Sequence, residues 1–195
     1  MTQKIWITSD NHFSHKRIST FCPITRPDTD WEKMDEMMIR RWQMQVGQND
    51  IVHMLGDCFW GNAESAIKIM SRLPGQKHLI YGNHDKVIKS NSTLRGMFAS
   101  VRDYNEIVVN GTRCILFHFP IYEWHKIEKG AVHFHGHIHY RLSGVPGRIV
   151  NVCVDSPEMH NIDVPYALYP IEDAIKWALT KPARNHHGDG VLEDM

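Results

Sequence analysis

Residues 51–57 read Ile51-Val52-His53-Met54-Leu55-Gly56-Asp57. The first five form a short, mostly apolar run that suits a buried strand. The run stops at a glycine followed by an acid. The same unit returns on either side: Lys4-Ile5-Trp6-Ile7-Thr8 runs into Ser9-Asp10-Asn11-His12, and Lys77-His78-Leu79-Ile80-Tyr81 runs into Gly82-Asn83-His84-Asp85. Between these strands the apolar spacing becomes helical. Thr29 with Glu32 makes a capping-box signature. Trp31, Met34, Met38 and Trp42 follow at helical spacing, which predicts a helix over 30–46 closed by Gly47. The Met and Trp stripe reads as core packing. A second helix is expected over 62–73, ended by Pro74-Gly75. The order strand–helix–strand–helix–strand favours parallel pairing.

Further along, a short helix is expected near 86–98. Glu106–Val109 and Thr112–Phe117 flank Asn110-Gly111, a strong hairpin signal. Residues 131–135 and 148–154 read as two more strands, expected to add antiparallel material. A last helix is expected over 171–179, with Pro170 near its start. The segment 181–195 reads as a flexible polar tail. The sum is an α/β protein whose sheets are covered by helices, with a single domain over 1–180.

Composition narrows the function. The 195 residues suit one domain with a substantial core. Lys plus Arg equals Asp plus Glu at 22 each, so no basic excess marks a nucleic-acid track, although a local basic patch stays open. The opening Met1-Thr2-Gln3-Lys4-Ile5-Trp6 lacks the apolar stretch of a secretion signal. No apolar run approaches the roughly 20 residues that span a bilayer. Cys22, Cys58, Cys114 and Cys153 are far apart and form no C-x-x-C pair, which reads as free thiols in a reducing cytoplasm. The 14 histidines are unusual, because His133, His135, His137 and His139 fall in one segment; metal binding is the usual cause.

Five expected strands each end in a side chain that can bind metal: Asp10-Asn11-His12, Gly56-Asp57, Gly82-Asn83-His84-Asp85, His118, and Gly136-His137-Ile138-His139. Each piece alone has a plain reading. A Gly-Asp is commonly a turn, Gly-Asn-His-Asp a turn with a helix cap, and His118 a hydrogen-bonded strand-end histidine. Together, at the carboxyl ends of strands where open α/β sheets bind ligands, they point to one site. The i, i+2 spacing of His137 and His139 puts both rings on one side of an extended segment.

The five blocks, in this order, resemble those of the calcineurin-like metallophosphoesterase superfamily over residues 4 to about 155. That resemblance implies two mixed β-sheets packed face to face and flanked by helices, a four-layer αββα sandwich. It implies two divalent cations. Asp10, His12, Asp57 and His139 would hold the first; Asp57, Asn83, His118 and His137 would hold the second, with Asp57 shared. Carboxylate, imidazole and amide ligands suit Mn first, with Fe, Zn or Ni as alternatives, better than Ca or Mg. His84 is implied as the catalytic histidine that is not a ligand. Asp85 would orient it or cap a helix.

The implied activity is hydrolysis of a phosphate ester by metal-activated water. The second block reads Gly56-Asp57-Cys58-Phe59-Trp60-Gly61-Asn62 and lacks the arginine of phosphoprotein phosphatases in the family. A small phosphodiester is therefore the leading substrate, with a monoester or nucleotide close behind, and a nuclease or non-enzymatic scaffold less favoured. The short chain is similar to minimal prokaryotic or phage-type members. His15 reads equally as a substrate contact or a surface residue. His53 and His133 read as structural, His135 as structural or as orienting a ligand, and Cys58 as packing. Trp124, His125 and Arg141 are candidates for a substrate cleft.

Overall fold

A computed structural model describes residues 3–156, 158 and 166–184. The first strand, β1 (Ile5–Thr8), leads through a short helix α1 (Ile18–Phe21) to a long helix α2 (Trp31–Gln45). Then come β2 (Ile51–Met54), α3 (Ala63–Met70) and β3 (Gln76–Ile80). Two short helices, α4 (Lys86–Ser90) and α5 (Ser92–Arg95), precede β4 (Ser100–Arg102). The second half holds β5 (Tyr104–Val109), β6 (Thr112–Phe117), β7 (Val132–His135), β8 (Ile149–Asn151), the two-residue β9 (Tyr169–Pro170) and α6 (Ile171–Leu179).

These strands make two mixed sheets. The first runs β4-β3-β2-β1-β9, parallel except for β9; the second runs β5-β6-β7-β8. Alternation along each strand assigns its two faces. Ile7, Leu55 and Ile80 meet Cys114, Leu116, Val132, Phe134 and Val150 between the sheets. Trp6, Val52, Met54 and Leu79 point the other way, into a core shared with Met34, Met38, Ile39 and Trp42 of α2 and Ala66 and Ile69 of α3. Each large apolar side chain so buried contributes about 1.5–3 kcal/mol. Helix α6 closes one end of the intersheet core with Ile171, Ala174, Ile175 and Ala178. The outer face of the second sheet is covered by Trp124, Ile127 and Ala131 from the loop after β6.

Asp50 ties the entry of the first two strands together. Its carboxylate accepts from the Lys4 amide at 3.0 Å, the Trp6 indole at 2.9 Å and the Gly47 amide at 2.9 Å. It thereby sets the β1–β2 register and the exit from α2.

Several expectations shift. The cap of α2 is Asp30, not Thr29: its side chain accepts from Lys33 N at 3.1 Å. Gly47 does not adopt a left-handed φ; Val46 caps the helix in an extended conformation. The helix expected over 86–98 breaks at Asn91, whose side chain leaves the first helix and caps the second. Within the second sheet, among the described residues, only β5 and β6 are antiparallel, joined at Asn110-Gly111 with φ of 48° and 81°. β6, β7 and β8 pair in parallel. Their connections, 118–131 and 136–148, have the length a crossover needs. The edge strands β4 and β9 carry too little pattern to be read. Most of the expected polar tail, 185–195, lies outside the described residues.

Candidate metal centre

The carboxyl ends of β1, β2, β3, β6 and β7 meet at one edge of the sandwich. The chain leaving β1 pairs with the chain leaving β2: Asp10 N donates to Gly56 O and His12 N to Asp57 O, both at 3.0 Å. Beyond these contacts the backbone turns sharply. Asp10, His12, Asp57, His137 and His139 have φ of 56°, 49°, 53°, 70° and 51°. L-residues with a β-carbon pay roughly 1–3 kcal/mol for such a conformation, and it persists where the surroundings impose it. Five of the seven expected ligands are held this way. His137 and His139 therefore do not share the side of an extended segment as expected. Gly136-His137-Ile138-His139 is a turn, with Ile138 N donating to Gly136 O at 2.9 Å, and the two rings go to different places.

One group of candidate ligand atoms comes from Asp10, His12 and His139, and a second from Asp57, His118 and His137; within each, the atoms lie within 4.8 Å of one another. Asp57 connects the two. Its Oδ2 lies 3.8 Å from His12 Nε2 and 3.5 Å from His118 Nε2. Its Oδ1 accepts from the His84 amide at 2.8 Å. Asn83 Oδ1 completes the second group, at 3.0 Å from both His118 Nε2 and His137 Nδ1. Asp10 receives the His137 amide on both carboxylate oxygens, at 3.1 and 2.9 Å. All seven expected ligands thus converge.

The rings are aimed. His118 donates from Nδ1 to the Leu55 carbonyl at 2.7 Å, which leaves Nε2 facing Asp57. His139 donates from Nδ1 to Asp155 Oδ2 at 2.9 Å, which leaves its Nε2 facing Asp10 at 3.9 Å. Ligand histidines are typically held by such a bond to the other nitrogen. Burial, with Arg26 charge next in importance, holds the His12 imidazole well below its usual pKa, in the neutral form a cation requires. Burial pushes the Asp57 carboxyl up, but the hydrogen bond and charge of His118 outweigh it and leave it at about 2. His12 Nε2 is buried without a hydrogen-bond partner among the described residues, close to two carboxylates. An orphaned imidazole nitrogen facing buried carboxylates fits a divalent cation.

No model of a known protein family matches the chain. The uncharacterized protein MJ1445 of Methanocaldococcus jannaschii is 31% identical over 139 residues, covering 70% of this chain and 70% of that protein. The Gene 66 protein of Mycobacterium phage D29 is 28% identical over 165 residues, covering 71% and 79%. The crystal structure of AQ665, a protein of unknown function from Aquifex aeolicus, superposes with a TM-score of 0.68 at 23% identity, over 90% of this chain and 99% of that one. That likeness is one of fold. Here the five blocks meet across a two-sheet sandwich. The chain belongs to one family with the MJ1445 protein, and its resemblance to the calcineurin-like metallophosphoesterase superfamily lies in those five blocks.

His84 stands at the exposed rim, its ring 5.9 Å from His12 and 4.8 Å from Trp60. Trp60, 46% exposed, also packs on His15 at 4.1 Å. His15 is accordingly a buried neighbour of the site, not a surface residue. Asp85 takes neither role expected of it. Its carboxylate accepts from the Gly82, Asp57 and Cys58 amides at 2.7, 3.0 and 2.9 Å and makes no cap bond to α4. It folds the second and third blocks onto each other. Two tight glycines do the same work: a β-carbon on Gly82 would stand 2.1 Å from Asp57 Oδ1, and one on Gly136 2.1 Å from Asp10 Oδ2.

Trp124 and His125 lie away from the site. Trp124 is buried in the outer core with its indole on Ala131 O, and His125 pairs with Glu106. Arg141 is exposed, its amide donating to Ile138 O at 3.0 Å. His133 is structural, with Nε2 at 3.1 Å from Phe119 O and Nδ1 at 3.3 Å from Ile115 O. His135 is bonded to Gly136 O, not to a candidate ligand. Cys58 is buried packing.

Sequence reading missed Asp155 and Arg26. Asp155 had a signal: it follows the apolar run 148–154, as the other site residues follow theirs. Arg26 had none, since its role depends on a loop folding back over β1.

Proposed function

We propose that this protein is a dinuclear metal-dependent phosphoesterase whose substrate is a small phosphodiester. The observation that carries this reading is the pairing of two ligand groups through one carboxylate, with Asp57 Oδ2 facing His12 Nε2 at 3.8 Å and His118 Nε2 at 3.5 Å. Asp10, His12, Asp57 and His139 would hold one cation, and Asp57, Asn83, His118 and His137 the other. Two cations held there would supply an activated water as nucleophile and would offset the charge that develops on the phosphoryl oxygens. Manganese is the favoured metal for this mixture of carboxylate, imidazole and amide, with Fe, Zn and Ni as alternatives.

The chain's own groups divide the remaining work. Asp10 and Asp57 bring the negative charge that retains the cations. Asn83 and His84 are exposed at the rim, where a phosphoester arrives from solvent. His84, at the rim beside His12, would reach the leaving oxygen and donate a proton to it. No arginine follows Asp57 to grip a dianionic phosphate, which favours a diester over a phosphoprotein. No described helix is long and apolar enough to cross a membrane, and the four cysteines are buried free thiols, in keeping with a cytoplasmic enzyme.

The test is hydrolysis of bis-p-nitrophenyl phosphate by metal-stripped protein, with and without Mn²⁺. Activity restored only by metal is the expected result. A protein that binds manganese yet leaves both this diester and p-nitrophenyl phosphate intact would overturn the reading.

A further inference from the structure

Among the described residues, Arg26 is the one cation drawn fully into the interior beside the site, at 0% exposure, and it leaves the loop between α1 and α2 to get there. Its guanidinium is engaged on every nitrogen. Nε and Nη2 form a fork on Asp155, at 2.9 Å to Oδ1 and 2.9 Å to Oδ2. Nη2 also donates to the Asp10 carbonyl at 2.6 Å, and Nη1 to the Asn11 carbonyl at 2.9 Å. Asp155 in turn accepts from Thr25 Oγ1 at 2.8 Å and from His139 Nδ1 at 2.9 Å. The segment that carries Asp155 is tied to the chain after β1, with Val154 N donating to Ser9 O at 3.1 Å.

A buried ion pair is a poor device for stability, because desolvating both charges offsets much of their attraction, and apolar residues of similar volume often do as well. Its worth lies in geometry. The guanidinium is planar and its donors are fixed, so it sets the positions of the carboxylate and the carbonyls it touches. What it touches here is confined to one half of the candidate centre: the backbone of Asp10 and Asn11, both beside the strained Asp10 and His12 positions, and the carboxylate that orients His139. Nothing in the second group, Asn83, His118 and His137, contacts Arg26 or Asp155. His118 is oriented instead by the Leu55 carbonyl, through a separate bond.

On the reading of the site as dinuclear, we propose that Arg26 and Asp155 are positioning residues that form a buried brace specific to the first cation site, holding the Asp10–His12 turn and the His139 ring in register with each other. The His139 and His118 rings are then aimed by different acceptors, Asp155 and the Leu55 carbonyl, so that the first site can be weakened by mutation apart from the second.

The test is manganese binding, not turnover. Calorimetric titration with Mn²⁺ and the electron paramagnetic resonance of the loaded protein are compared for wild type, Asp155→Asn and Arg26→Lys. Asp155→Asn keeps volume and one acceptor; Arg26→Lys keeps charge and loses the fork. Thermal melts of the metal-free proteins establish that each variant is folded. Should either single variant fail to fold, the double variant Arg26→Met/Asp155→Asn removes both buried charges together. The expected result is one manganese site weakened about 10–100-fold, the other unchanged, and a spin-coupled pair spectrum replaced by that of an isolated ion. A purely structural ion pair would instead lower thermal stability and leave both sites and the coupled spectrum intact, and that result overturns the brace alone. A wild-type protein that takes up no pair of ions overturns the dinuclear reading and the brace with it.

Discussion

Gly82 and Asp57 stand so close that a β-carbon on residue 82 would lie 2.1 Å from Asp57 Oδ1 and 2.6 Å from Asp57 N. The second distance matters as much as the first, because a backbone nitrogen cannot rotate away. Gly82→Ala must therefore push the third block off the second and displace the Asp57 carboxylate, the proposed shared ligand. The expected outcome is a fall of roughly 1–3 kcal/mol in stability, the usual cost of overpacking, with manganese affinity lower at both sites. A melt and a Mn²⁺ titration check it. Wild-type affinity in Gly82→Ala would mean that the Asp57 carboxylate does not hold the ions.

Asp57→Asn tests the shared ligand directly. The substitution keeps the shape and the acceptor for the His84 amide, but removes a charge that is present at any working pH, since the carboxyl sits at about 2. At manganese concentrations that load the wild type with two ions, the variant should hold at most one, measured by metal analysis after gel filtration. Two ions retained would remove Asp57 as the bridge.

His84→Ala should behave in the opposite way. The His84 ring stands beside His12 and Trp60 at the rim and belongs to neither ligand group. Both ions should remain, KM for bis-p-nitrophenyl phosphate should change little, and kcat should drop by about 10²–10⁴, the range for losing a general acid. A variant that loses metal would make His84 a ligand.

The candidate site was more legible in the sequence than the fold that builds it. Asp10, His12, Asp57, Asn83, His118, His137 and His139 each follow an apolar run within a few residues, which marks the neighbourhoods, while the resemblance of the five blocks is what singles them out from neighbours such as His84. What chain order does not carry is the supporting contacts. Asp85 was placed beside His84 because the two are adjacent, whereas its carboxylate turns inward to three amides. Arg26 reaches Asp155 across a long stretch of sequence, and no local pattern marks that meeting. The parallel pairing of β6, β7 and β8 was missed for a related reason: strand direction is set by the crossovers 118–131 and 136–148, which have little periodicity of their own. β9 is two residues long and exists through its pairing with Trp6 and Ile7.

Acid should destabilise the metal-free protein through histidines remote from the candidate ligands. Burial, with the nearby His78 adding to it, pulls His53 down to about 4. Burial and His135 pull His133 down to about 3. An unfolded histidine titrates near 6.5, so the unfolded chain takes up these protons first as pH falls. Stability is therefore fully present above about 6.5 and is lost progressively down to the folded values. The slope should be roughly 1.4 kcal/mol per pH unit for each histidine inside its window. Denaturant titrations between pH 4 and 7 measure it, and His53→Leu should lower the slope by one histidine's share. An unchanged slope would show that His53 stays accessible to protons in the folded state.

Asp35 should act with the opposite sign. It lies on the buried face of α2 and accepts from the Ser14 amide at 2.8 Å. Burial raises its carboxyl to about 7, against the pull of the Ser14 amide and of the Arg26 charge. The folded protein therefore holds a proton that the unfolded chain has released above about 4. This group's contribution to stability is fully present below that value and is lost as pH rises through about 7. Asp35→Asn leaves an amide oxygen for Ser14 N and buries no charge. Its melting temperature should exceed that of the wild type at pH 8, and the gap should narrow steadily toward pH 5, where the wild-type carboxyl is already neutral. Melts of the two metal-free proteins at pH 5, 6.5 and 8 decide the matter. A variant less stable than wild type at pH 8 would mean that the Asp35 carboxylate is held ionised by its neighbours and that the Ser14 turn, next to the His12 loop, depends on its charge.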